Sequence, residues 1–361
     1  MKLSLLCPVV DNYGDAGIGW RLARQIQARW GWQVDIWTND AATFRRLLSA
    51  PQAAAVAWSE KRGTRQTRDI RILQAMPSGV EDLGEAVVEV FSAEPPTNLT
   101  TALVTATTQK PWIIFEYLSA ESWVGRFHLQ TSIDPRNGFK KIYFYPGFDE
   151  RSGGLLQTDD AGRKVCSIRN ASPAGRRIFV FAYPHAPLNE WPDALTSNDW
   201  LWLAAPALPE ACTDAANIVA FDWLPQTEFD EFLTECDWLF VRGEDSFVAA
   251  QRAAKPLVWQ IYPTTDSQHW VKLEAFFERY AQGLSENAKY ALWRLWCVWN
   301  GGRDDPKACS LAHAWDRALQ HEDEIAANAL RWYKHLQDQP DLLVRLKNCL
   351  IQEGIAAAAF A

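Results

Sequence analysis

Two acidic side chains bracket the run Asp11-Asn12-Tyr13-Gly14-Asp15. The run follows an apolar, partly β-branched stretch from Leu3 to Val10. It precedes Ile18, Leu22 and Ile26 at helical spacing, with Arg21, Arg24 and Gln25 facing away. This pattern predicts a strand, a turn holding both carboxylates, and an amphipathic helix, the opening of a nucleotide-type α/β domain. A phosphate cradle at that turn would read Gly-x-Gly-x-x-Gly. Here Gly14, Gly17 and Gly19 are spaced differently, and an acid stands on either side of the first. The loop is therefore expected to serve a cation or a proton, not a phosphate.

A second chemical segment is Val241-Arg242-Gly243-Glu244-Asp245-Ser246-Phe247, where another predicted strand gives way to a helix. Ser246 or Asp245 is expected to cap that helix, leaving amides and the positive end of its dipole available to a diphosphate. Trp223, Pro225 and Gln226 follow a neighbouring strand, so an indole face and an amide are placed to read a nucleobase. Tyr262 follows another strand, and Phe181 and Tyr183 end a third. Each alone is better explained by packing. Together they fall on one edge, and open α/β sheets bind ligands at the carboxyl ends of their strands.

Metal chemistry finds little support. There is no Asp-x-Asp, and none of the six histidines pairs with another at i+3 or i+4. A Gly-x-Ser-x-Gly elbow and a Gly-Lys-Ser/Thr loop are also missing. No metal and no cofactor are expected, so a bound diphosphate must be neutralised by helix ends and basic side chains.

The elements that must position these residues form two series. Short apolar segments at Leu3 to Val10, Val34 to Trp37, Ile70 to Leu73, Ala86 to Phe91, Leu103 to Thr105, Trp112 to Phe115 and Ile142 to Tyr145 read as buried, mainly parallel strands. Between Gly147 and Gly175 the chain turns polar and glycine-rich, the best linker in the sequence. A second series follows: Ile178 to Ala182, Trp200 to Ala204, Ile218 to Phe221, Trp238 to Val241 and Leu257 to Ile261, with a helix from Pro225 to Glu235. After Pro263 the periodicity is helical over Trp270 to Tyr280, Glu286 to Trp299, Leu311 to Leu336 and Pro340 to Gln352. The expected architecture is α/β, with two Rossmann-like domains facing each other across a cleft. Residues 1–172 form the first, completed by residues 347–361 of a terminal helix that crosses back to it, and residues 173–346 form the second.

Composition sets outer limits. A chain of 361 residues exceeds what one core usually organises. A formal charge of −8 argues against nucleic-acid or anionic-membrane partners. Seven scattered cysteines without a Cys-x-x-Cys pair indicate a reduced, cytoplasmic protein, and no apolar run approaches a membrane span. The 19 tryptophans invite a stacking function, but packing is the stronger explanation for most of them.

Taken together, these segments resemble the protein-arginine rhamnosyltransferases that modify bacterial translation elongation factor P. The matching stretches are Val9 to Asp15 with Trp20 to Arg24, Phe115-Glu116-Tyr117-Leu118-Ser119-Ala120-Glu121, and Tyr145 to Phe148 with Gly153-Gly154-Leu155. In the second half they are Arg242 to Phe247 and Trp259 to Pro263. The resemblance implies a GT-B glycosyltransferase that moves L-rhamnose, with inversion, from dTDP-β-L-rhamnose to an arginine of elongation factor P and so activates it. It implies Asp15 as general base and Asp11 as its partner. Donor contacts are implied for Tyr13, Gly14, Phe181, Tyr183, Trp223, Gln226, Tyr262, Glu244, Asp245 and Ser246. The residues alone also leave open another GT-B nucleotide-sugar enzyme or a nonenzymatic nucleotide-binding regulator. Glu116 and Glu121 are expected to cap a helix.

Overall fold

The computed structural model describes residues 1–10, 12–59, 69–91, 93, 95, 97–105, 110–135, 138–156, 175–302 and 309–360. The chain divides into two compact units. The first is Met1–Asp159 with Gln339–Ala361, and the second is Asp160–Asp338. Most of the expected linker, residues 157–174, lies outside the described residues.

In the first unit the described strands are β1 (Lys2–Leu6), β2 (Gln33–Thr38), β3 (Ala57–Ser59), β4 (Ile70–Gln74), β5 (Ala86–Val90), β6 (Trp112–Phe115), β7 (Thr131–Ile133) and β8 (Lys140–Phe144). They form one sheet in the order β3-β4-β2-β1-β5-β6-β8-β7, parallel except for the antiparallel edge pair β7 and β8. The central strands are buried on both faces, and every residue of β5 is buried, Glu89 included with Lys141 at 3.0 Å as a partner, as a parallel sheet covered by helices requires. The chain runs outward from β1 to one side and from β5 to the other. The strand order therefore reverses between β1 and β5.

Two expectations in this unit need correction. Leu103 to Thr105 is not a strand but the end of the helix Thr97–Thr105. Leu99 and Leu103, four residues apart, are both buried against Trp112 and Val87, so the helical period wins over the local β-branched content. The first strand stops at Leu6, and residues 7–9 form a loop in which the Cys7 amide donates to Trp37 O (2.8 Å) and the Val9 amide to Asn39 Oδ1 (2.7 Å). The terminal helix, Leu342–Gln352, belongs to this unit and buries Leu342, Leu346 and Leu350. Asp341 caps it, accepting the Leu343 and Val344 amides while pairing with Arg29 at 2.9 Å.

Among the described residues the second unit holds five parallel strands, β9 (Arg177–Val180), β10 (Trp200–Ala204), β11 (Ile218–Phe221), β12 (Trp238–Arg242) and β13 (Leu257–Gln260), in the order β11-β10-β9-β12-β13. The reversal falls between β9 and β12. Helices Glu286–Trp299 and Leu311–Leu319 supply Trp299 and Trp315, which pack edge-on with Trp191 and Phe240. These indoles are core, each fully buried or nearly so. The single helix expected over Leu311 to Leu336 is two, Leu311–Leu319 and Glu322–Gln337. The break at Gln320 and His321 lets Glu322 receive the Arg176 guanidinium (2.9 Å) and the Trp238 indole N–H (2.9 Å) at the start of the second helix.

Candidate active site

At the β1 end of the first unit the helix Asn12–Trp30 begins earlier than expected, so Tyr13, Gly14 and Asp15 are its first turn and not a loop before it. Asp11 lies outside the described residues. Asp15 is only 2% exposed. Its Oδ2 accepts the backbone N–H of Val10 at 2.8 Å, and its carbonyl accepts the Cys7 thiol at 3.4 Å. The expected turn is thus the first turn of the helix, with Asp15 buried there. The carboxylate at the positive end of the helix reaches back and ties the preceding loop to it. Burial pushes the Cys7 thiol up out of its ordinary range, and the neighbouring charge of Asp15 adds to the shift. Gly19 faces Cys7 so closely that a Cβ there would lie 2.7 Å from the sulfur. The seat of Asp15 is therefore a tight contact between helix and strand end. Tyr13 is half-buried, with the Arg46 guanidinium 6.0 Å from its ring centre.

The second unit gathers most of the remaining predicted residues at the carboxyl ends of its strands. Arg242, the last residue of β12, spreads its guanidinium over Phe181 (4.4 Å) and Tyr183 (4.6 Å), which follow β9. Trp223 meets Phe181 edge-on at 6.4 Å, and Tyr262, 52% exposed, meets Tyr183 edge-on at 5.6 Å. Tyr183 is held from behind by the buried Gln260, whose Oε1 accepts its amide at 2.6 Å. Gly243, at φ +64°, turns the chain from β12 into the helix Asp245–Arg252, a conformation that suits glycine.

The capping expectation is not met. The helix N-cap is Glu244, and the Ser246 hydroxyl donates to the carbonyl of Arg242 one turn back. Ser246 is buried beneath the turn and pins the strand end to the helix. Asp245 instead accepts the Gln226 amide at 2.9 Å. Gln226 is almost fully buried, so its Nε2 is engaged inside the protein, unlike the base-reading amide expected. Glu244 faces Lys272 at 3.9 Å. Arg242 is the residue the sequence reading passed over. Its signal was its place as the last side chain of a strand, directly before a glycine and a helix start.

Residues 3–350 match the family model for the elongation-factor P (EF-P) rhamnosyltransferase EarP. The chain belongs to the EarP family. Among similar proteins, the protein-arginine rhamnosyltransferase of Pseudomonas putida is 34% identical, covering 95% of this chain and 96% of its own length. That of Pseudomonas aeruginosa is 32% identical with 95% and 96% covered, and that of Neisseria meningitidis serogroup B is 29% identical with 93% of each covered. A solved structure concerned with EarP-mediated arginine glycosylation of elongation factor EF-P aligns with a TM-score of 0.60 at 25% identity, covering 98% of this chain and 99% of the other. The glycotransferase of kitacinnamycin aligns at 0.56 and 12% identity with 98% and 99% covered, a likeness of fold alone. The fold is GT-B, as in these glycosyltransferases.

Proposed function

We propose that this chain transfers L-rhamnose from dTDP-β-L-rhamnose to an arginine side chain of elongation factor P, with inversion at the anomeric carbon and without a metal. The observation that carries the reading is the family match over residues 3–350. In it the first unit handles the acceptor and the second the donor.

Arginine is a demanding nucleophile. Its pKa exceeds 12 and a carboxylate's is near 4, so full deprotonation before attack would cost on the order of 11 kcal/mol. Asp15 is assigned a different task. It holds the guanidinium by a charge-assisted hydrogen bond, biases electron density toward one nitrogen, and takes up the proton only as the C–N bond forms. The Val10 amide on Oδ2 supports this role by keeping the carboxylate oriented. Asp11 is its assigned partner.

As the C–N bond forms, the bond from the anomeric carbon to the diphosphate oxygen breaks, and the electron pair leaves on dTDP. The Arg242 guanidinium and the start of the helix Asp245–Arg252 are suited to hold that charge. Trp223, Phe181 and Tyr262 offer aromatic faces for the base and sugar, with Tyr183 buried beneath Arg242 and Tyr262 as their support, while Glu244, Asp245, Gln226 and Ser246 shape the turn. Tyr13 and Gly14 are assigned to the donor side of the acidic turn. The reading places the enzyme in the reducing cytoplasm.

The test is the intact mass of elongation factor P after incubation with this protein and dTDP-β-L-rhamnose. One rhamnosyl increment on a single arginine is expected. An unmodified acceptor overturns the reading.

A further inference from the structure

Phe91 directly follows β5, and Tyr117 stands two residues beyond β6, so both lie on the carboxyl edge of the first sheet. β5 is the neighbour of β1 at the reversal of strand order, and β6 is the next strand out. Adjacent strands lie about 4.8 Å apart, so these residues flank the β1 end within the reach of one extended side chain.

Phe91 adopts φ +57°, the left-handed region that bulky residues avoid and that is found where surrounding structure enforces it, often at functional sites. Its amide is fastened to the carbonyl of Phe115 at 2.7 Å. The strained turn lays the Phe91 ring flat on Tyr117, with centroids 3.9 Å apart and planes within 3°, while the Phe115 ring supports it at 6.5 Å. Tyr117 is 42% exposed, so the stack is not simply core. Glu116 stands between these rings in sequence, and its charge is felt nearby: the Tyr145 phenol is pushed up to about 12, by burial first and by Glu116 second. Glu116 begins no helix, contrary to the capping role expected, because it continues β6 with its amide on Phe144 O (2.9 Å).

A flat, partly exposed aromatic face suits a planar, delocalised cation, which stacks on the ring. We propose that Phe91 and Tyr117 form a ledge that receives the guanidinium-bearing side chain of the acceptor arginine. This inference rests on the assignment of the first unit to the acceptor, and it names the surface that selects arginine there. A compact ammonium matches the ledge less well, and a neutral urea group lacks the charge.

The experiment titrates N-acetyl-arginine amide at millimolar concentration against the full-length protein, following saturation transfer from the protein to the ligand's own resonances, a signal that every variant can give. The controls are the citrulline and lysine analogues and the variants Tyr117→Ala and Tyr117→Phe. Arginine is expected to bind the wild type and Tyr117→Phe, and to lose about tenfold in affinity with Tyr117→Ala. In transfer assays Tyr117→Ala should raise the acceptor KM by a similar factor and leave the donor KM unchanged. Equal binding of citrulline, arginine binding indifferent to Tyr117→Ala, no binding to the wild type, or a rise in donor KM alone overturns the ledge. Arginine binding without any transfer to elongation factor P would instead defeat the proposed function while sustaining the ledge.

Discussion

Val10 donates its backbone amide to the Oδ2 of Asp15 at 2.8 Å, joining the loop after β1 to the first turn of the helix that follows. The bond fixes the direction in which the carboxylate presents its other oxygen. Asp15→Asn keeps the size of the side chain but removes the charge and the capacity to take a proton. Its kcat is expected to drop about a thousandfold, within the range of general-base losses, with donor Kd nearly unchanged by calorimetry. Near-normal turnover would remove Asp15 from the mechanism.

Arg242 between Phe181 and Tyr183 invites a conservative substitution. Arg242→Lys keeps a positive charge but loses the planar stack on two rings. The donor KM should rise about tenfold, with the acceptor KM unchanged. Steady-state kinetics varying each substrate in turn decides it, and an unaltered donor KM would exclude Arg242 from donor binding.

The contact of Gly19 with Cys7 predicts a paired result. Gly19→Ala places a methyl 2.7 Å from the Cys7 sulfur, so the sulfur or the helix must shift, at a cost of about 1–3 kcal/mol typical of overpacking. Cys7→Ala in the same chain should return most of that loss in urea unfolding. Additive destabilisation by the two changes would contradict the steric account.

Phe91 offers a test of backbone strain. Glycine tolerates φ +57° and alanine does not. Both substitutions lose the stack on Tyr117, yet Phe91→Gly should be more stable than Phe91→Ala by about 1 kcal/mol. Chemical denaturation of the two variants measures the difference, and alanine being the more stable would argue against strain.

His128 gives the fold a pH dependence. Its Nδ1 accepts the Tyr145 amide at 3.1 Å, and burial, then the Arg345 charge, lowers its pKa from 6.5 to about 4 against the opposing pull of Asp149. Between those values the unfolded chain binds the proton and the folded one does not. The stability is thus full above about pH 6.5 and is lost as pH falls toward 4. The wild-type Tm should decline more steeply on acidification than that of His128→Asn, which keeps an acceptor for Tyr145. Parallel curves would rule out this histidine as the source.

Local pattern was enough to read much of this protein. The helix Glu286–Trp299 is found at its predicted limits, because its apolar residues recur at helical spacing and Ser285 caps it. The strands of the second unit were legible for a similar reason: each is a short apolar run bounded by polar turns, so periodicity and punctuation agree. The aromatic residues after those strands could be assigned to one edge, since parallel β/α order places every strand end on the same side. Tertiary structure decided what local pattern leaves undetermined. Leu103 to Thr105 is β-branched and apolar, yet Leu99 and Leu103 must share one buried face. Ser246 is a good cap by type but sits where the carbonyl of Arg242 is nearer. Asp15 reads as part of a turn before the helix, and only the fold shows that it lies in the helix's first turn, buried, with Val10 on one of its oxygens. Such choices depend on which long-range partner arrives within hydrogen-bond distance, and that is set by packing between segments, not by the order of residues along any one of them.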